Sequence, residues 1–534
     1  MFYSVLFPTE ESAARPRRKT APASFADLQL DLIMKRGLGD YQDSGLEDIY
    51  YTPATDAEVI RYRQEVLQEL EDPTVREAVN TIVERFRSLR EYMDGLREKP
   101  LSNVKDPMLR SAPKAKNDIS VFLKKKTPDW LNMGRVLEKL GQFTDTLAAF
   151  TERVAQMHFR SAGLRGFADY VTAYCSSERF REMDEEAGRL RAAFSEIRYC
   201  LWFKTGSNTV KVLPYEEQED YVSRIEALFS RFRQGDVQDF RKHLEDTPVS
   251  EKMENEILQL LSRRYPREFK ELQGFCEKYL RFENDAVIRF TRELQFYFGW
   301  LEMTENLKKE GLSFCYPTVE DGAKDSYVQD GFDLALALRK REGVITNSFS
   351  LTSPEQILVV TGPNQGGKST FARAFGQAHY LASLGLTVPG KTARLPLCDG
   401  VMTHFEREEN IKDLNGKLRD DLKRLKELLD AATPRSVFVI NEIFASTTAW
   451  DAQVLSGHML EAIIQKGCSA VVVTFLEEMA DFGPQTVSMA AEVPENGRVR
   501  YRILRKKPGG LSYAMRLAER HALGYEDVKR RVGG

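Results

Sequence analysis

The sequence contains few cysteines and histidines and no long apolar run. It has six of each among 534 residues, and no two cysteines form a C-x-x-C pair. This scatter argues against a disulfide framework or a zinc site, and it predicts reduced thiols in a cytoplasmic protein. Neither a signal peptide nor an apolar stretch long enough to cross a bilayer is found, so we do not expect a membrane protein.

An excess of charge of either sign is also missing. Lysine and arginine number 77 against 80 aspartates and glutamates, which gives a formal net charge of −3. A protein that coats nucleic acid electrostatically would be strongly basic, so this class is disfavoured, whereas local basic patches are compatible with the balance. The length predicts two to four domains, and the 42% of hydrophobic residues is typical of a globular protein.

A glycine-rich loop is the most informative motif that is present. Residues 362–370 match G-x-x-x-x-G-K-[ST] without a gap. Gly366 and Gly367 let main-chain N–H groups close around phosphate oxygens. Lys368 can reach the β- and γ-phosphates, and the Ser369 hydroxyl can ligate Mg²⁺. The predicted cofactors are therefore ATP and Mg²⁺, and the predicted contacts are Gly362, Pro363, Asn364, Gln365, Gly366, Gly367, Lys368, Ser369 and Thr370.

The residues on both sides of the loop predict a strand and a helix. Ile357–Val360 is a short apolar run typical of a buried strand. After the loop, apolar residues recur at helical spacing from Phe371 to Ala382. A strand, a glycine loop and a helix amino terminus form the arrangement that binds nucleotide phosphate. This context disfavours the alternative, a chance match in an ordinary turn.

A second apolar strand, beginning at Ser436, ends in Asn441 and Glu442. Ligands gather at the carboxyl ends of the strands in such sheets. We predict that Glu442 and Lys368 are catalytic, with Glu442 orienting or deprotonating the attacking water near the metal. Asn441 stands where aspartate is usual and can contact a magnesium-bound water through its amide oxygen. Alternatively, Asn441 and Glu442 only cap a helix after a core strand.

Three further segments are predicted to complete the site. Asn415, Gly416 and Lys417 open a helix with leucines on one face, and its amino terminus can point at a phosphate. An ordinary amphipathic surface helix has the same spacing. Ala445–Asp451 follows the acidic strand, where ATPases of the ATP-binding-cassette (ABC) type place a dimer-contacting loop. Ala470–Phe475 is a further apolar strand, and Thr474 near its end is a predicted nucleotide contact.

The rest of the chain is mainly of helical pattern. The predicted divisions are a tail at 1–23, a helical core part at 24–128 with a basic loop at 97–126, a helical lever region at 129–312 with a small hairpin at 199–213, a connector at 313–345, and a nucleotide domain at 346–534. The basic loop includes Lys114, Lys116, Lys124, Lys125 and Lys126. It is either a solvated linker or a segment that contacts nucleic-acid phosphate.

Several landmarks resemble the ATPase domain of the MutS family of DNA mismatch repair proteins. They follow in the order of that family: Gly362–Thr370, Val388-Pro389, Thr403-His404-Phe405, Glu442-Ile443, Ser446-Thr447-Thr448 with Asp451, and Ser512-Tyr513. The helical part is more loosely similar, through Phe25–Asp31 and Phe290–Phe296. The resemblance implies an α/β P-loop NTPase domain of the ABC type, with a mixed sheet flanked by helices. A mostly α-helical core and lever domain would precede it.

The resemblance also implies a homodimer through the ATPase domain. In the family each subunit completes the nucleotide site of its partner. Carried over to this sequence, the residues that contact the partner are Asn415, Gly416, Lys417, Ser446, Thr447, Thr448 and Asp451.

The sequence departs from the family pattern in ways that bear on function. Only some twenty residues precede the core-like segment, so we expect a short form without the mismatch-binding and connector domains. Gln365 replaces methionine in the loop, and Asn441 replaces the aspartate of the acidic strand. Phe475 stands where the family has a histidine, so no imidazole would sense the γ-phosphate. Mismatch recognition is therefore not expected.

These features favour an ATP-hydrolysing MutS-like protein, a slow dimeric switch that acts on structured or branched DNA. The alternative is a nucleotide-dependent module that binds a protein or the ribosome, with weak or no hydrolysis and no role on DNA. A small-molecule kinase is a third hypothesis, but it would need neither the helix at Gly416 nor the long helices.

Overall fold

The computed structural model describes most of the chain. The described residues are 2–38, 45–98, 128–203, 210–217, 251–322, 325–340, 343–406, 417–442, 444, 447–492, 500–507 and 529–531. Several residues with a predicted role lie outside these ranges, namely Lys114, Lys116, Lys124, Lys125, Lys126, Asn415, Gly416 and Ser446.

Sixteen helices are named here along the described part of the chain. They are α1 (Glu10–Ala14), α2 (Ser24–Asp27), α3 (Leu30–Leu38), α4 (Glu47–Tyr51), α5 (Ala57–Glu69), α6 (Pro73–Glu98), α7 (Trp130–Val154), α8 (Ala162–Cys175), α9 (Glu178–Ser195), α10 (Glu251–Arg264), α11 (Pro266–Tyr279), α12 (Asp285–Lys309), α13 (Leu334–Lys340), α14 (Lys368–Ser383), α15 (Lys417–Ala431) and α16 (Ala449–Lys466).

The described strands complete the set of elements. They are β1 (Tyr199–Phe203), β2 (Val210–Pro214), β3 (Phe314–Cys315), β4 (Thr318–Glu320), β5 (Ser326–Gly331), β6 (Asn347–Leu351), β7 (Ile357–Thr361), β8 (Val388–Pro389), β9 (Thr392–Pro396), β10 (Gly400–His404), β11 (Ser436–Asn441), β12 (Ser469–Val473), β13 (Thr486–Ala491) and β14 (Ile503–Arg505).

The chain divides into two compact units. The first contains residues 1–77, 159–167 and 289–534, and the second contains residues 78–158 and 168–288. The boundaries between the units fall near the start of α6, between α7 and α8, within α8 and near the start of α12. Each unit is therefore assembled from separated stretches of the chain.

The first unit contains a six-stranded sheet of the order β10-β11-β12-β7-β13-β14. Neighbouring strands are parallel except β14, which is antiparallel to β13. β7 lies between β12 and β13, and all five of its residues are buried. The predicted mixed sheet is thus confirmed, and because β7, β11 and β12 are parallel their carboxyl ends meet at one edge.

Helices cover both faces of this sheet. Successive side chains of a strand point to opposite faces. On one face, Ile357 of β7 shares a buried cluster with Leu425 of α15 and Leu460 of α16. On the other face, α14 packs against β11 and β12. Gly376 permits the close approach, because a Cβ at this position would lie 2.9 Å from a methyl group of Val439. The helix after the glycine loop is therefore seated directly on the sheet.

Smaller sheets lie beside this core in the first unit. β4, β9, β5 and β6 form a four-stranded sheet in that order, and β3 pairs with β8. β5 is antiparallel to both β6 and β9, whereas β4 is parallel to β9. The residues between 313 and 345, predicted as a connector, thus contribute strands and α13 to the first unit.

The amino-terminal segment differs from the predicted tail. Val5 and Leu6 are fully buried, and a single carboxylate oxygen, Glu293 Oε2, accepts hydrogen bonds from Ser4 Oγ at 2.7 Å and from the Val5 N–H at 2.8 Å. A short apolar run in polar surroundings carries no periodic signal. Its burial depends on α12, nearly 300 positions away, which the local sequence does not reveal.

The described part of the second unit consists of helices and one hairpin. α7, α9 and α11 pack on one another, and Phe143 of α7 meets Phe86 and Phe282 edge-on. β1 and β2 pair antiparallel from Tyr199 opposite Pro214 to Phe203 opposite Val210, in the region where the sequence predicts a hairpin. In the described ranges of both units, no helix combines the length and the apolar character needed to cross a membrane.

Candidate nucleotide site

The glycine loop connects the end of β7 to the start of α14. Gly362 has a φ of 127° and Gly367, the N-cap of α14, has a φ of 91°. Both values lie in the left-handed region that favours glycine. Lys368 is the first residue of α14, and Ser369 and Thr370 follow in its first turn. The main-chain N–H groups of that turn have no partner within the helix, so they face the loop as donors.

The space inside the loop suits a phosphate group. A Cβ on Gly362 would lie 2.7 Å from the Cβ of Ala491, and one on Gly366 would lie 2.9 Å from the carbonyl oxygen of Pro363. A side chain at either position would therefore collide with Ala491 or with the main chain of the loop itself. The glycines leave a cradle lined by main-chain atoms, which is the type of surface that phosphate oxygens bind.

Gln365 adopts a left-handed conformation without being a glycine. Its φ is 62°, and its side chain is exposed. Such a backbone costs energy for a residue with a side chain, and it persists where neighbouring contacts impose it. Here the Gly366 N–H donates a hydrogen bond of 3.1 Å to Pro363 O and closes the turn around Gln365.

Lys368 occupies the centre of the loop. Its side chain is 5% exposed, and Nζ donates hydrogen bonds to Gly362 O at 2.9 Å and Pro363 O at 3.0 Å. Nζ also lies 3.7 Å from Glu442 Oε1. Burial lowers the pKa of Lys368, and the nearby Glu442 carboxylate opposes that shift. The ammonium group is thus held between the loop and the acidic strand.

The end of β11 places Asn441 and Glu442 beside the loop. Asn441 lies opposite Val473 of β12, and the Glu442 N–H donates to Val473 O at 3.0 Å. Glu442 has a φ of 54°, so this strand end is also in the left-handed region. The Glu442 side chain is one-third exposed, which leaves its carboxylate accessible to solvent.

Two buried oxygen atoms at this edge lack a hydrogen-bond partner among the described residues. They are Asn441 Oδ1 and Thr361 Oγ1, the latter at the end of β7. Buried polar atoms are normally hydrogen-bonded, so an unsatisfied pair next to a phosphate cradle suggests a ligand or water shell. Amide and hydroxyl oxygens are suitable acceptors for the waters around Mg²⁺. Together with the cradle and Lys368, the donor set fits a magnesium nucleotide.

Thr474 lies at the same edge, directly after β12. Its N–H donates to Val360 O at 3.1 Å, and its hydroxyl accepts from the Leu476 N–H at 3.0 Å. The hydroxyl retains a hydrogen that can be donated to a ligand. The next residue, Phe475, is 52% exposed and presents a hydrocarbon ring at the site edge.

The segment predicted to contact a partner subunit forms the start of α16. Thr448 is the N-cap, and its hydroxyl accepts from the Asp451 N–H and donates to Asp451 Oδ2 at 2.7 Å. Thr447 Oγ1 donates to the same carboxylate oxygen at 3.4 Å. These bonds explain the local role of all three residues as a helix cap. Lys417, the remaining described residue of the predicted dimer contacts, begins α15.

Three neighbours of the loop were not identified from the sequence. Ala491 closes one side of the cradle, and the Cα of Tyr501 lies 3.5 Å from the position of a Cβ on Gly367. Asn347 holds Tyr501 in place, since its Nδ2 donates to Tyr501 O at 3.2 Å and its Oδ1 accepts from the Ile503 N–H. Ala491 lies 129 positions after Gly362, and Tyr501 lies 134 positions after Gly367 and 154 after Asn347. No motif marks any of the three residues.

Comparison with known families agrees with this geometry. Residues 358–526 match the family profile of MutS domain V. This part of the chain is similar to MutS domain V. The predicted resemblance to the MutS family is thereby confirmed over about a third of the chain.

Curated relatives are similar to this chain over a third to a half of its length. Endonuclease MutS2 of Thermus thermophilus is 33% identical over 35% of this chain and 25% of its own length. DNA mismatch repair protein MutS of Thermus caldophilus is 28% identical over 36% of this chain and 24% of its own length. MutS of Lactococcus lactis subsp. cremoris SK11 is 23% identical over 46% of this chain and 31% of its own length. The chain thus spans a quarter to a third of the relatives it matches.

Proposed function

We propose that the protein binds Mg·ATP at residues 362–370, hydrolyses it slowly, and belongs by fold to the P-loop NTPases of the ABC type. The supporting observation is the placement of Lys368, buried within a glycine cradle at the start of α14 and 3.7 Å from the carboxylate that follows β11. MutS domain V, matched by this region, is a domain of the ATPase type. Cradle, cation and carboxylate are the parts that nucleotide hydrolysis needs.

In this proposal each residue of the site has one task. The main-chain N–H groups at the start of α14, together with the Lys368 ammonium, would bind phosphate oxygens, and Ser369 would ligate Mg²⁺. Asn441 accepts a hydrogen bond from a magnesium-bound water, and Glu442 orients and deprotonates the attacking water. Bound Mg²⁺ supplies neutralisation of the phosphate charge.

We further propose that two copies associate through the edge of the sheet that carries this site. Trp450, at the start of α16, is 71% exposed, and Val454 one turn later is 37% exposed. Phe475, which follows β12, is 52% exposed. Large apolar side chains exposed beside a functional edge mark protein contacts. We propose a second copy of this chain as the occupant, because the resemblance to the MutS family implies that Thr447, Thr448 and Asp451, at the same helix start, contact a partner subunit.

The proposed client is DNA. The relatives carry the names DNA mismatch repair protein MutS and endonuclease MutS2. With Phe475 and Asn441 in place of the family residues, we propose structured or branched DNA held by phosphate contacts rather than recognition of mismatches. Lys114, Lys116 and Lys124–Lys126 are the proposed phosphate contacts.

Calorimetric titration of the full chain with Mg·ATP tests nucleotide binding. The wild type is expected to bind, and Lys368→Met, which keeps the length of the side chain without the charge, is expected to bind at least tenfold more weakly. Absence of heat with folded wild-type protein would refute the proposal. Turnover is then measured with and without duplex, forked and four-way DNA, while sedimentation gives the mass.

The DNA proposal has a separate test in the salt dependence of binding. Affinity falls with salt, and each phosphate contact makes the slope of log affinity against log salt concentration steeper by about 0.9. Reversing the charge of Lys124, Lys125 and Lys126 together should make that slope shallower by about 2 to 3. If none of the DNA forms binds, the second candidate is favoured: a nucleotide-dependent module that binds a protein or the ribosome. Phe475 at the position of the family histidine is the observation that supports this candidate.

A further inference from the structure

Arg63 is a buried arginine on α5, outside the predicted nucleotide domain. It is 2% exposed, and its guanidinium donates two hydrogen bonds to main-chain carbonyls. Nε donates to Leu6 O at 3.1 Å, and Nη1 donates to Leu384 O at 3.0 Å. Burial lowers the pKa of Arg63 to about 10, so the side chain stays charged at neutral pH. A buried cation bonded to two distant stretches of chain fixes both of them.

One of these stretches is the carboxyl end of α14. Leu384 is the C-cap of α14, and Gly385 follows with a φ of 78°. A Cβ on Gly385 would lie 2.8 Å from the Cβ of Arg63 and 3.0 Å from Ile60 O, so the helix end rests directly on α5. The last carbonyls of a helix carry partial negative charge. Arg63 therefore complements the end of α14 opposite the glycine cradle.

The other stretch is the amino-terminal segment Ser4–Phe7. The Phe7 ring centroid lies 5.0 Å from the Arg63 guanidinium carbon, and the Phe296 ring of α12 lies at 5.7 Å. The Tyr297 hydroxyl of α12 donates to Val5 O at 2.5 Å. The segment is thus held between α12 and Arg63, and Arg63 is the side chain that also bonds to α14.

We propose that Arg63 is a positioning residue of the proposed ATP site, one that makes nucleotide binding and the docking of Ser4–Phe7 mutually dependent. This inference rests on the proposed function. The 16 residues of α14 span about 24 Å. A helix of this length is rigid, so a change at its cradle end reaches the end that Arg63 holds. Coupling between two sites is reciprocal, so each event stabilises the other.

The test measures amide hydrogen exchange of residues 4–7 in the full chain, with and without a non-hydrolysable Mg·ATP analogue, together with the affinity for that analogue. In the wild type, the analogue is expected to slow exchange of these amides about tenfold. In Arg63→Met, affinity should fall about tenfold and the slowing should disappear. If Arg63 contributed only to general stability, Arg63→Met would speed exchange of residues 4–7 equally with and without the analogue.

Arg76 provides a matched control. It lies on α6, donates to Leu70 O at 2.9 Å, and pairs with Glu305 of α12 at 2.6 Å, but its bonds do not involve α14. Arg76→Met should therefore keep the analogue-dependent slowing. If Arg63→Met does not fold, Tyr297→Phe removes only the hydroxyl bonded to Val5. It should weaken analogue binding about threefold by the same reciprocity.

The outcomes separate this inference from the proposed function. If the wild type fails to bind the analogue, the proposed ATP site and the role of Arg63 are both refuted. If the wild type binds it but residues 4–7 exchange at the same rate with and without it, only the role of Arg63 is refuted. Equal slowing in wild type and Arg63→Met would refute it as well, as would unchanged affinity in Tyr297→Phe.

Discussion

Lys368 Nζ lies 3.7 Å from Glu442 Oε1, so the lysine of the glycine loop and the carboxylate after β11 form an ion pair across the site. The pairing brings together residues 74 positions apart in the sequence. It keeps the ammonium group in the cradle, although burial there disfavours its charge. Phosphate binding at this position would compete with Glu442 for the lysine and leave the carboxylate available to a water molecule.

Glu442→Gln should preserve Mg·ATP binding and lower turnover by at least about 100-fold, because an amide cannot accept the proton of the attacking water. Calorimetry and steady-state phosphate release measure the two quantities. Glu477→Gln, an exposed position two residues beyond Phe475, serves as the control and should leave turnover unchanged.

Retained hydrolysis in Glu442→Gln would move the base to another carboxylate. Asp399 is a poor substitute, since Thr433 and Ser436 donate to it at the amino end of β11, the opposite end from the site. Asp451, bonded to Thr448 at the start of α16, would then be the next residue to test.

Asn441→Asp should lower the Mg²⁺ concentration needed for half-maximal turnover. A carboxylate attracts the metal and its waters more strongly than the amide oxygen that is now buried without a partner among the described residues. The measurement is a magnesium titration of turnover at saturating ATP. Asn306→Asp, on the exposed side of α12, is the control, because it adds the same charge away from the site. Superimposable titrations of Asn441→Asp and wild type would disprove the idea.

Gly362→Ala should weaken nucleotide binding at least tenfold and lower stability by about 1–3 kcal/mol, because its backbone conformation is left-handed. The added methyl group would also meet Ala491 at 2.7 Å. Gly188→Ala is the matched control in α9, where no atom lies within 4 Å of the added Cβ. It should raise stability by about 0.5–1 kcal/mol. Denaturation curves and calorimetry decide the outcome, and equal effects of the two changes would contradict the cradle geometry.

The pH dependence of stability should include a contribution from His379 on α14. This residue is 1% exposed, its Nδ1 contacts Phe375 O, and burial lowers its pKa to about 4. In the unfolded chain the pKa is about 6.5. The folded state therefore binds this proton more weakly. The neutral imidazole therefore contributes about 3 kcal/mol to the free energy of unfolding above pH 6.5. This contribution is lost as the pH falls from 6.5 towards 4.

His379→Leu should remove this pH dependence, as followed by urea denaturation between pH 7 and pH 4. The exposed His458 gives the control, because His458→Gln leaves the buried imidazole in place. The same loss of stability on acidification in His379→Leu and wild type would show that another group is responsible.

Trp450→Glu should shift the protein from dimer to monomer without loss of folding, because the side chain is 71% exposed and buries little of its surface within the chain. A charge at the proposed contact would lose its water on association, which should weaken the affinity between the two copies by about tenfold or more. Sedimentation of both proteins over a concentration series measures the change. Trp202→Glu on β1, 47% exposed, should have no effect. A monomeric wild type would exclude the proposed association.

Local patterns predicted the central elements well. The apolar run Ile357–Val360 corresponds to β7, and the run from Ser436 corresponds to β11. α14 begins at Lys368, three residues before the first apolar residue of the predicted helix, because the loop itself forms the first turn. Each of these elements is defined by neighbours within a few positions, so the sequence pattern contains the necessary information.

Other parts of the site could not be predicted. Ala491 and Tyr501 have no motif, and their approach to Gly362 and Gly367 depends on the order of β7, β13 and β14 in the sheet. Strand order depends on pairing between distant segments, which hydrophobic periodicity does not encode. The burial of Val5 and Leu6 was missed for the same reason.

The sequence by itself determined the phosphate loop, the helix that follows it, and the acidic end of the neighbouring strand. Glycine flexibility, helical periodicity and strand periodicity act over a few residues, so they can be recognised in the order of the amino acids. Only the tertiary structure decided that Glu442 faces Lys368, that Ala491 closes the cradle, and that Arg63 joins the far end of α14 to the amino-terminal segment. These contacts depend on packing between distant residues, and their stability comes from burial that is complete only in the folded chain.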